Sequence, residues 1–308
     1  MKFLVTGGAG FLGATLANRL ANDGHEVRVI DDLSAGDPAR LDEKVLFTRG
    51  DVNDRPKLWT LLQGVDCVYH LAARVSVAES ILYPREYNAT NVGGTVSVME
   101  AMRDVGVRRV VFTSSGAVYG ESGEQPLKET HTPDPASPYA VSKLAAEYYV
   151  RTIGKLWGIE TVILRVFNAY GPGQPLPAVH PPVIPRFLKQ AVSGASVVAF
   201  GDGRQTRDYV YISDVMSASV SAAFASGVDR QIINVGSGEE MSVRDLINTI
   251  SHLIGKPIDA IYNTAEPGGV SRMRADLTQA AALLGYAPRV PLAEGLRRMI
   301  ESDSRFQI

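Results

Sequence analysis

Apolar runs of strand length recur along the chain, each followed by a polar or glycine-rich break and then by apolar residues at helical spacing. Lys2–Thr6 (KFLVT) is the first run. It stops at Gly7-Gly8-Ala9-Gly10-Phe11-Leu12-Gly13, after which Leu12, Leu16 and Leu20 share one helical face up to Asp23-Gly24. Val27, Val29 and Ile30 form a second strand closing on Asp31. The polar, Gly/Pro-punctuated stretch Asp32–Lys44 reads as a loop, Val45–Thr48 as a third strand and Pro56–Leu62 as a helix. Val65–Leu71 is a fourth strand running into Ala72-Ala73. Helices follow around Ser76–Leu82 and from Pro84 to Val105, the longer one turning Val92, Val96, Met99 and Met102 toward a core. Arg109–Thr113 is a buried strand that stops at Ser114-Ser115-Gly116-Ala117-Val118-Tyr119-Gly120. After a polar loop over residues 121–136, Ser137 is an N-cap and Pro138 the first residue of a helix reaching Gly158.

The second half continues the alternation. Val162–Val166 is a strand, and Pro172–Pro185, with six prolines and the isolated His180, is a loop covering a cleft. Pro182–Gly194 is expected as a helix, Ser196–Phe200 and Arg207–Tyr211 as strands, and Ser213–Ser226 as a helix packing back on the first half. Ser242-Val243-Arg244-Asp245 is a capping box opening a helix to Ile254, and Asp276–Leu284 and Leu292–Ser302 are the last helices. The alternation predicts an α/β chain: a Rossmann-type doubly wound parallel sheet with a smaller C-terminal α/β substrate lobe. The expected division gives residues 1–168, plus roughly 208–235 returning, to the nucleotide domain, and 169–207 and 236–308 to the lobe.

The first βαβ unit carries candidate chemistry. Gly8 and Gly10 allow a tight turn and close backbone approach to a pyrophosphate, which meets the positive end of the new helix. Gly13 allows close helix–strand packing. Asp31, eighteen residues past Gly13, is placed to accept hydrogen bonds from an adenosine ribose and repels a 2′-phosphate, so the cofactor expected is NAD rather than NADP. Asp51, just past the third strand, suits either the adenine amino group or a helix cap. Small Ala72 and Ala73 leave room along the sheet edge, and Asn91 is either an internal polar anchor or a contact near the cofactor. The expected cofactor contacts are Gly7, Gly10, Phe11, Leu12, Gly13, Asp31, Asp32, Asp51, Val52, Leu71, Ala72, Ala73, Asn91, Thr113, Ser114, Tyr139, Lys143 and Val166.

Composition narrows the classes. A net charge of −2 gives no electrostatic footprint for nucleic acid, no apolar run is long enough to span a bilayer, and no leader precedes the first strand. Cys67 stands alone, which points to a cytoplasmic protein without an internal disulfide, and the five histidines show no metal-ligand spacing, so no metal is expected.

Tyr139 and Lys143 lie four apart on one helix, which brings their Cβ atoms to ~5–6 Å. A phenol of pKa ~10 is a poor base at neutral pH. A neighbouring ammonium and a positive nicotinamide ring favour the phenolate, so the pKa of Tyr139 is expected to fall. Lys143 also suits the nicotinamide ribose, and Ser115 would hydrogen-bond the same substrate hydroxyl. A surface Tyr–Lys pair on an amphipathic helix is the bland alternative.

With Gly7-x-x-Gly10-x-x-Gly13, Ser114-Ser115 and Tyr139-x-x-x-Lys143 in place, the chain resembles the extended short-chain dehydrogenase/reductase family, in particular its nucleotide-sugar epimerases and dehydratases. Leu164–Gly173 resembles the segment whose asparagine, here Asn168, meets the sugar nucleotide. Gly201–Tyr211 resembles the segment whose second arginine, here Arg207, grips a diphosphate; surface pairing of Arg207 with Asp202 or Asp208, and a turn role for Asn168, are the alternatives. Ile233-Asn234-Val235-Gly236 and Leu284-Gly285-Tyr286-x-Pro288 also fit. The resemblance implies NAD-dependent C4 epimerisation through a transient 4-keto sugar, with a UDP-sugar, UDP-glucose or UDP-galactose, as substrate. Its implied catalytic residues are Ser115, Tyr139 and Lys143. Dehydratases of the group carry an Asp-Glu pair where this chain has Gly116-Ala117, which favours retention of the hydroxyl. A reductase, dehydratase or epimerase acting at another carbon, and a non-catalytic dinucleotide sensor, are the alternatives. Many members carry Arg-x-Gly-Asp where this chain has Glu266-Pro267-Gly268-Gly269, leaving Arg272 or Arg274 to stand in for the arginine. A homodimer is implied through two helices per subunit, with Ala146, Tyr149, Val150 and Ile153 as the apolar surplus on the second.

Overall fold

A computed structural model describes residues 1–265 and 269–307. The chain opens with β1 (Lys2–Thr6), α1 (Phe11–Asn22), β2 (Glu26–Asp31), β3 (Leu46–Arg49), α2 (Arg55–Leu61) and β4 (Cys67–His70). Next come α3 (Val77–Leu82), α4 (Pro84–Asn88), α5 (Gly94–Val105), β5 (Arg109–Ser115), α6 (Pro138–Trp157) and β6 (Glu160–Val166). They are followed by β7 (Asn168–Tyr170), α7 (Val183–Val192), β8 (Val197–Phe200), β9 (Thr206–Arg207), β10 (Tyr209–Tyr211), α8 (Ile212–Phe224) and β11 (Gln231–Val235). The last elements are β12 (Met241–Ser242), α9 (Val243–Ile254), β13 (Ala260–Asn263), α10 (Thr278–Leu284) and α11 (Leu292–Ser302).

Seven strands form one parallel sheet in the order β11-β6-β5-β4-β1-β2-β3. The strand order reverses between β1 and β4, which opens a crevice beyond their carboxyl ends, the place where such sheets bind ligands. Alternate residues of β1 feed opposite faces. Phe3 and Val5 join one apolar cluster with Leu16 and Leu20 of α1 and Val215 of α8, while Leu4 joins another with Val98 and Met102 of α5 and Ala146 and Val150 of α6. Each such fully buried large side chain contributes ~1.5–3 kcal/mol, so the sheet edge carrying the site is anchored from both sides. The remaining strands pair as β10 with β7, β12 with β9 and β13 with β8.

Expected boundaries shift by a residue or two at most elements. The run from Pro84 to Val105, expected as one helix, is divided by a π-turn over Ala89–Gly93. Gly93-Gly94 weakens the helix there, and Gly94 is needed: a Cβ on it would lie 2.6 Å from Cγ2 of Val52. Arg207–Tyr211 is two strands, because Asp208 leaves the ladder between β9 and β10. Sequence pattern alone missed β7, β11, β12 and β13, which are three, five, two and four residues long. Glu266-Pro267-Gly268, the departure from Arg-x-Gly-Asp, lies outside the described residues.

Candidate active site

At the end of β1 the chain turns through Gly7, whose φ is +67°. A Cβ there would lie 2.7 Å from the backbone of Ala72, and one on Gly13 would lie 2.1 Å from the carbonyl oxygen of Gly7. Strand, turn and helix therefore pack backbone to backbone, as a pyrophosphate seat requires. Gly10 is the N-cap of α1 and supplies no side chain to it, so the first N–H groups of the helix and its dipole are left for an anion. Asp31, at the end of β2, is buried. Its Oδ2 accepts the N–H of Ala9 at 3.0 Å and its Oδ1 the N–H of Leu33 at 2.8 Å. One donor per oxygen fixes the carboxylate and leaves acceptor capacity for a ribose diol. These residues fit NAD.

The flanking residues divide. Leu71 and Ala72 follow β4 and donate to the Thr6 carbonyl and hydroxyl, at 3.1 and 3.2 Å, which brings Leu71, Ala72 and Ala73 beside the glycine turn. Asp32 accepts from the N–H of Ser34 in a surface turn. Asp51 holds Asn53 in the same way, while Asp54 caps α2; the capping alternative for Asp51 is thereby corrected. Val52 packs on Gly94. Asn91 is an internal anchor: its side chain bonds the backbone N–H and C=O of Arg74 at 2.8 and 3.0 Å and donates to Ser142 Oγ at 2.9 Å. Thr113, Ser114 and Val166 end the neighbouring strands β5 and β6.

Ser115 is the last residue of β5, and its Oγ accepts the N–H of Ala117 at 3.2 Å. Ser137 caps α6, Pro138 follows, and Tyr139 lies in the first turn, 9 % exposed and edge-on to Tyr87. Burial raises the Tyr139 pKa above that of a free phenol, opposed by a hydrogen bond with Ser115. The expectation that Lys143 lowers it is not met by the protein alone. Lys143 is 3 % exposed, its Nζ lies 4.5 Å over the Phe112 ring, and burial pushes its own pKa down to about 8, with Glu147 opposing. In low dielectric each charge is disfavoured on its own account.

Glu147, one turn beyond Lys143, is a residue the sequence reading passed over. It pairs with Arg165 of β6 through both oxygens, at 3.0 and 2.7 Å, both side chains being 2 % exposed. Ser114 donates to the same carboxylate at 2.5 Å. Arg165 also stacks 4.7 Å over the Tyr119 ring, and Tyr119 donates to Asn234 Oδ1 at 2.8 Å. Thus α6, the ends of β5 and β6, and β11 are tied beneath Ser115, Tyr139 and Lys143. The available signal was Glu147 at the i+4 position from Lys143, on the same helical face.

Asn168 opens β7, its N–H bonded to the carbonyl of Asp208. Arg207 Nη1 donates to the carbonyls of Thr206 and Val270 at 2.7 and 2.6 Å, and burial lowers its pKa with Tyr209 and Glu121 opposing. The alternative partners are otherwise engaged: Asp202 pairs with Arg204, and Asp208 accepts from the N–H groups of Ser237, Gly238 and Ala275. Arg272 is held by Glu240 at 2.7 and 2.6 Å. Among the described residues no cluster of His, Cys, Asp and Glu is arranged to hold a metal ion, and no helix is long and apolar enough to cross a membrane.

The profile of the NAD dependent epimerase/dehydratase family matches residues 3–236. A UDP-glucose 4-epimerase of Mycolicibacterium smegmatis is 39% identical over 98% of both chains. The crystal structure of UDP-glucose 4-epimerase with UDP-glucose from Thermotoga maritima superposes with a TM-score of 0.94 at 34% identity, covering 98% of each chain. UDP-glucuronic acid 4-epimerase from Bacillus cereus, solved with UDP-glucuronic acid and NAD, gives a TM-score of 0.90 at 33% identity over 98% of each chain. Glycine turn, Tyr–Lys helix and full-length similarity agree: this chain belongs to the NAD dependent epimerase/dehydratase family.

Proposed function

We propose that this enzyme interconverts UDP-glucose and UDP-galactose by inverting C4. The observation that carries the reading is the trio at one sheet edge: Ser115 ending β5, with Tyr139 and Lys143 buried one turn apart on the helix beside it. The Gly7–Gly13 turn and Asp31 would hold NAD, which when bound would supply reversible hydride acceptance from C4. Tyr139 Oη takes the proton of the 4-hydroxyl and later returns it, general acid–base work that contributes ~10²–10⁴-fold. Ser115 hydrogen-bonds the same oxygen and keeps it aligned through both half-reactions. Lys143 binds the nicotinamide ribose hydroxyls, and its charge favours the phenolate. Gly116-Ala117 offers no carboxylate for elimination. Arg207 binds the sugar nucleotide from the smaller lobe, formed by 169–207 and 236–308, Asn168 binds it from the end of the nucleotide domain, and Arg272 joins them only by exchanging Glu240 for phosphate.

Incubation with UDP-, dTDP-, GDP- and ADP-sugars, followed by chromatography of the products, tests this. UDP-glucose and UDP-galactose should equilibrate without net cofactor use. Stoichiometric NADH consumption or a dehydrated product would replace the reading, as would turnover of UDP-glucuronic acid alone. Tyr139→Phe should lower the rate by ~10²-fold or more; an unchanged rate removes the mechanism.

We also propose a cytoplasmic homodimer. The expected contact residues need revision, because Ala146 and Val150 are fully buried in the core. Of the expected residues Tyr149 is exposed, and it joins Ile81, Leu82 and Tyr83 at the end of α3 and Val141 and Tyr148 on α6 in a patch suited to a second copy. Sedimentation should give a dimer at micromolar concentration.

A further inference from the structure

His70, the last residue of β4, is buried, and neither its chemistry nor its bonding follows from the reaction just described. Its two ring nitrogens meet two buried hydroxyls: Nδ1 lies 2.7 Å from Thr6 Oγ1 and Nε2 lies 2.9 Å from Thr95 Oγ1. Counting protons assigns the direction of every bond. Thr95 Oγ1 lies 2.6 Å from the carbonyl oxygen of Asn91, which only accepts, so the hydroxyl proton of Thr95 goes there. Thr95 must then accept from His70, which puts the ring proton on Nε2 and leaves Nδ1 an acceptor. Thr6 donates to that nitrogen and accepts the N–H of Ala72 at 3.2 Å. From Asn91 the series continues through its side-chain amide to Ser142 Oγ at 2.9 Å, and from Ser142 to the carbonyl of Tyr139 at 2.7 Å.

We propose that His70 is a positioning residue: as a neutral imidazole protonated on Nε2, it splices the hydrogen bonds at the glycine turn to those at the catalytic helix. One continuous series then runs from Ala72 and Thr6, beside the dinucleotide seat, to Asn91, Ser142 and Tyr139. Because each hydroxyl in it has a single proton, the series holds only in one direction and only while the ring is uncharged. Burial keeps the ring neutral, pushing its pKa down to about 3, and the neighbouring Lys143 charge acts in the same sense. The π-turn that divides α4 from α5 includes Asn91 and leads into Thr95, which gives that break in the helix a purpose. His70 itself never touches the reacting atoms; it sets where the phenol stands relative to the nicotinamide seat.

The effect on turnover rests on the epimerase reading, whereas the bonding does not, so two arms are needed. In ¹⁵N-histidine-labelled protein, His70 should show a pyrrole-type Nε2 and a pyridine-type Nδ1, unchanged from pH 5 to 9. A proton on Nδ1, or titration near the ordinary imidazole pKa of ~6.5, overturns the proposal whatever the substrate. In the second arm, His70→Phe and Thr95→Val should each lower kcat by ~10–100-fold, the scale of a misplaced reacting group, with little change in substrate KM. The double variant should fall no further than the worse single one, since both cut the same series. Losses that multiply, or variants that lose only thermal stability, refute it. Absence of epimerisation by the wild-type enzyme would sink the proposed function and leave the first arm to decide on His70.

Discussion

Replacing Glu147 by glutamine keeps the shape of the side chain and removes one charge from a pair in which both members are 2 % exposed. Arg165 would then be a buried guanidinium facing a neutral amide. Removing one partner of such a pair costs ~3–5 kcal/mol, most of it the uncompensated charge left behind. Over 308 residues, an unfolding entropy of ~2.1 cal/mol/K per residue gives ~650 cal/mol/K, so the melting temperature should drop by ~5–8 °C. Arg165→Met should cost a similar amount by stranding the carboxylate. The double variant Glu147→Leu/Arg165→Met removes both charges together and should lie well above the sum of the two losses, within ~1–3 kcal/mol of wild type, because Ser114 alone loses its acceptor. Differential scanning calorimetry of the four proteins is the assay. A Glu147→Gln protein melting within a degree of wild type, or a double variant as unstable as the added singles, would refute the view that this pair acts as a unit. Burial alone lowers the Lys143 pKa and Glu147 opposes it, so Glu147→Gln should also move the alkaline limb of any Lys143-dependent activity to lower pH.

Lys143 gives a stability signature of definite sign. Its folded pKa of about 8 lies below its unfolded value, so the folded state bears the cost of the buried charge below pH 8. It sheds the proton as pH rises through 8, while the unfolded chain holds it to pH ~10.4. Stability should therefore rise between these pH values by up to ~3 kcal/mol relative to Lys143→Met, measured as urea midpoints of the protein without added nucleotide; parallel curves would remove the argument. Asp31→Ala should weaken NAD binding by ~10-fold or more, the value of two charge-assisted hydrogen bonds, and narrow the preference for NAD over NADP. Calorimetric titration with both nucleotides checks it, and unchanged affinities would displace Asp31 from the ribose.

What the sequence made legible is whatever local geometry decides. The Gly7–Gly13 turn, the Ser137 cap and the Tyr139–Lys143 spacing each involve residues within one turn or one βαβ unit, and all stand where the pattern put them. Partners far apart in sequence were not legible. Thr6 and His70 are 64 residues apart and join only because β1 and β4 are neighbours across the sheet. Ala146 and Val150 looked like surplus apolar surface because a helix at the edge of a bundle is assumed to bury one face. In fact α6 packs on α5, α3 and the sheet at once, so more of its circumference is core. The same cause reversed the expected sign at Tyr139. A spacing of four residues guarantees proximity to an ammonium but says nothing of the solvent lost by both groups. Here that loss is the larger effect: it raises the phenol and lowers the amine, each toward its neutral form. A site built in this way holds its phenol neutral and brings its amine close to losing its charge, so its reactivity depends on a group that keeps that charge in place. Within the chain that group is Glu147, fixed by Arg165 and Ser114, and this is why a carboxylate outside the reacting trio should govern both its pH limb and its stability.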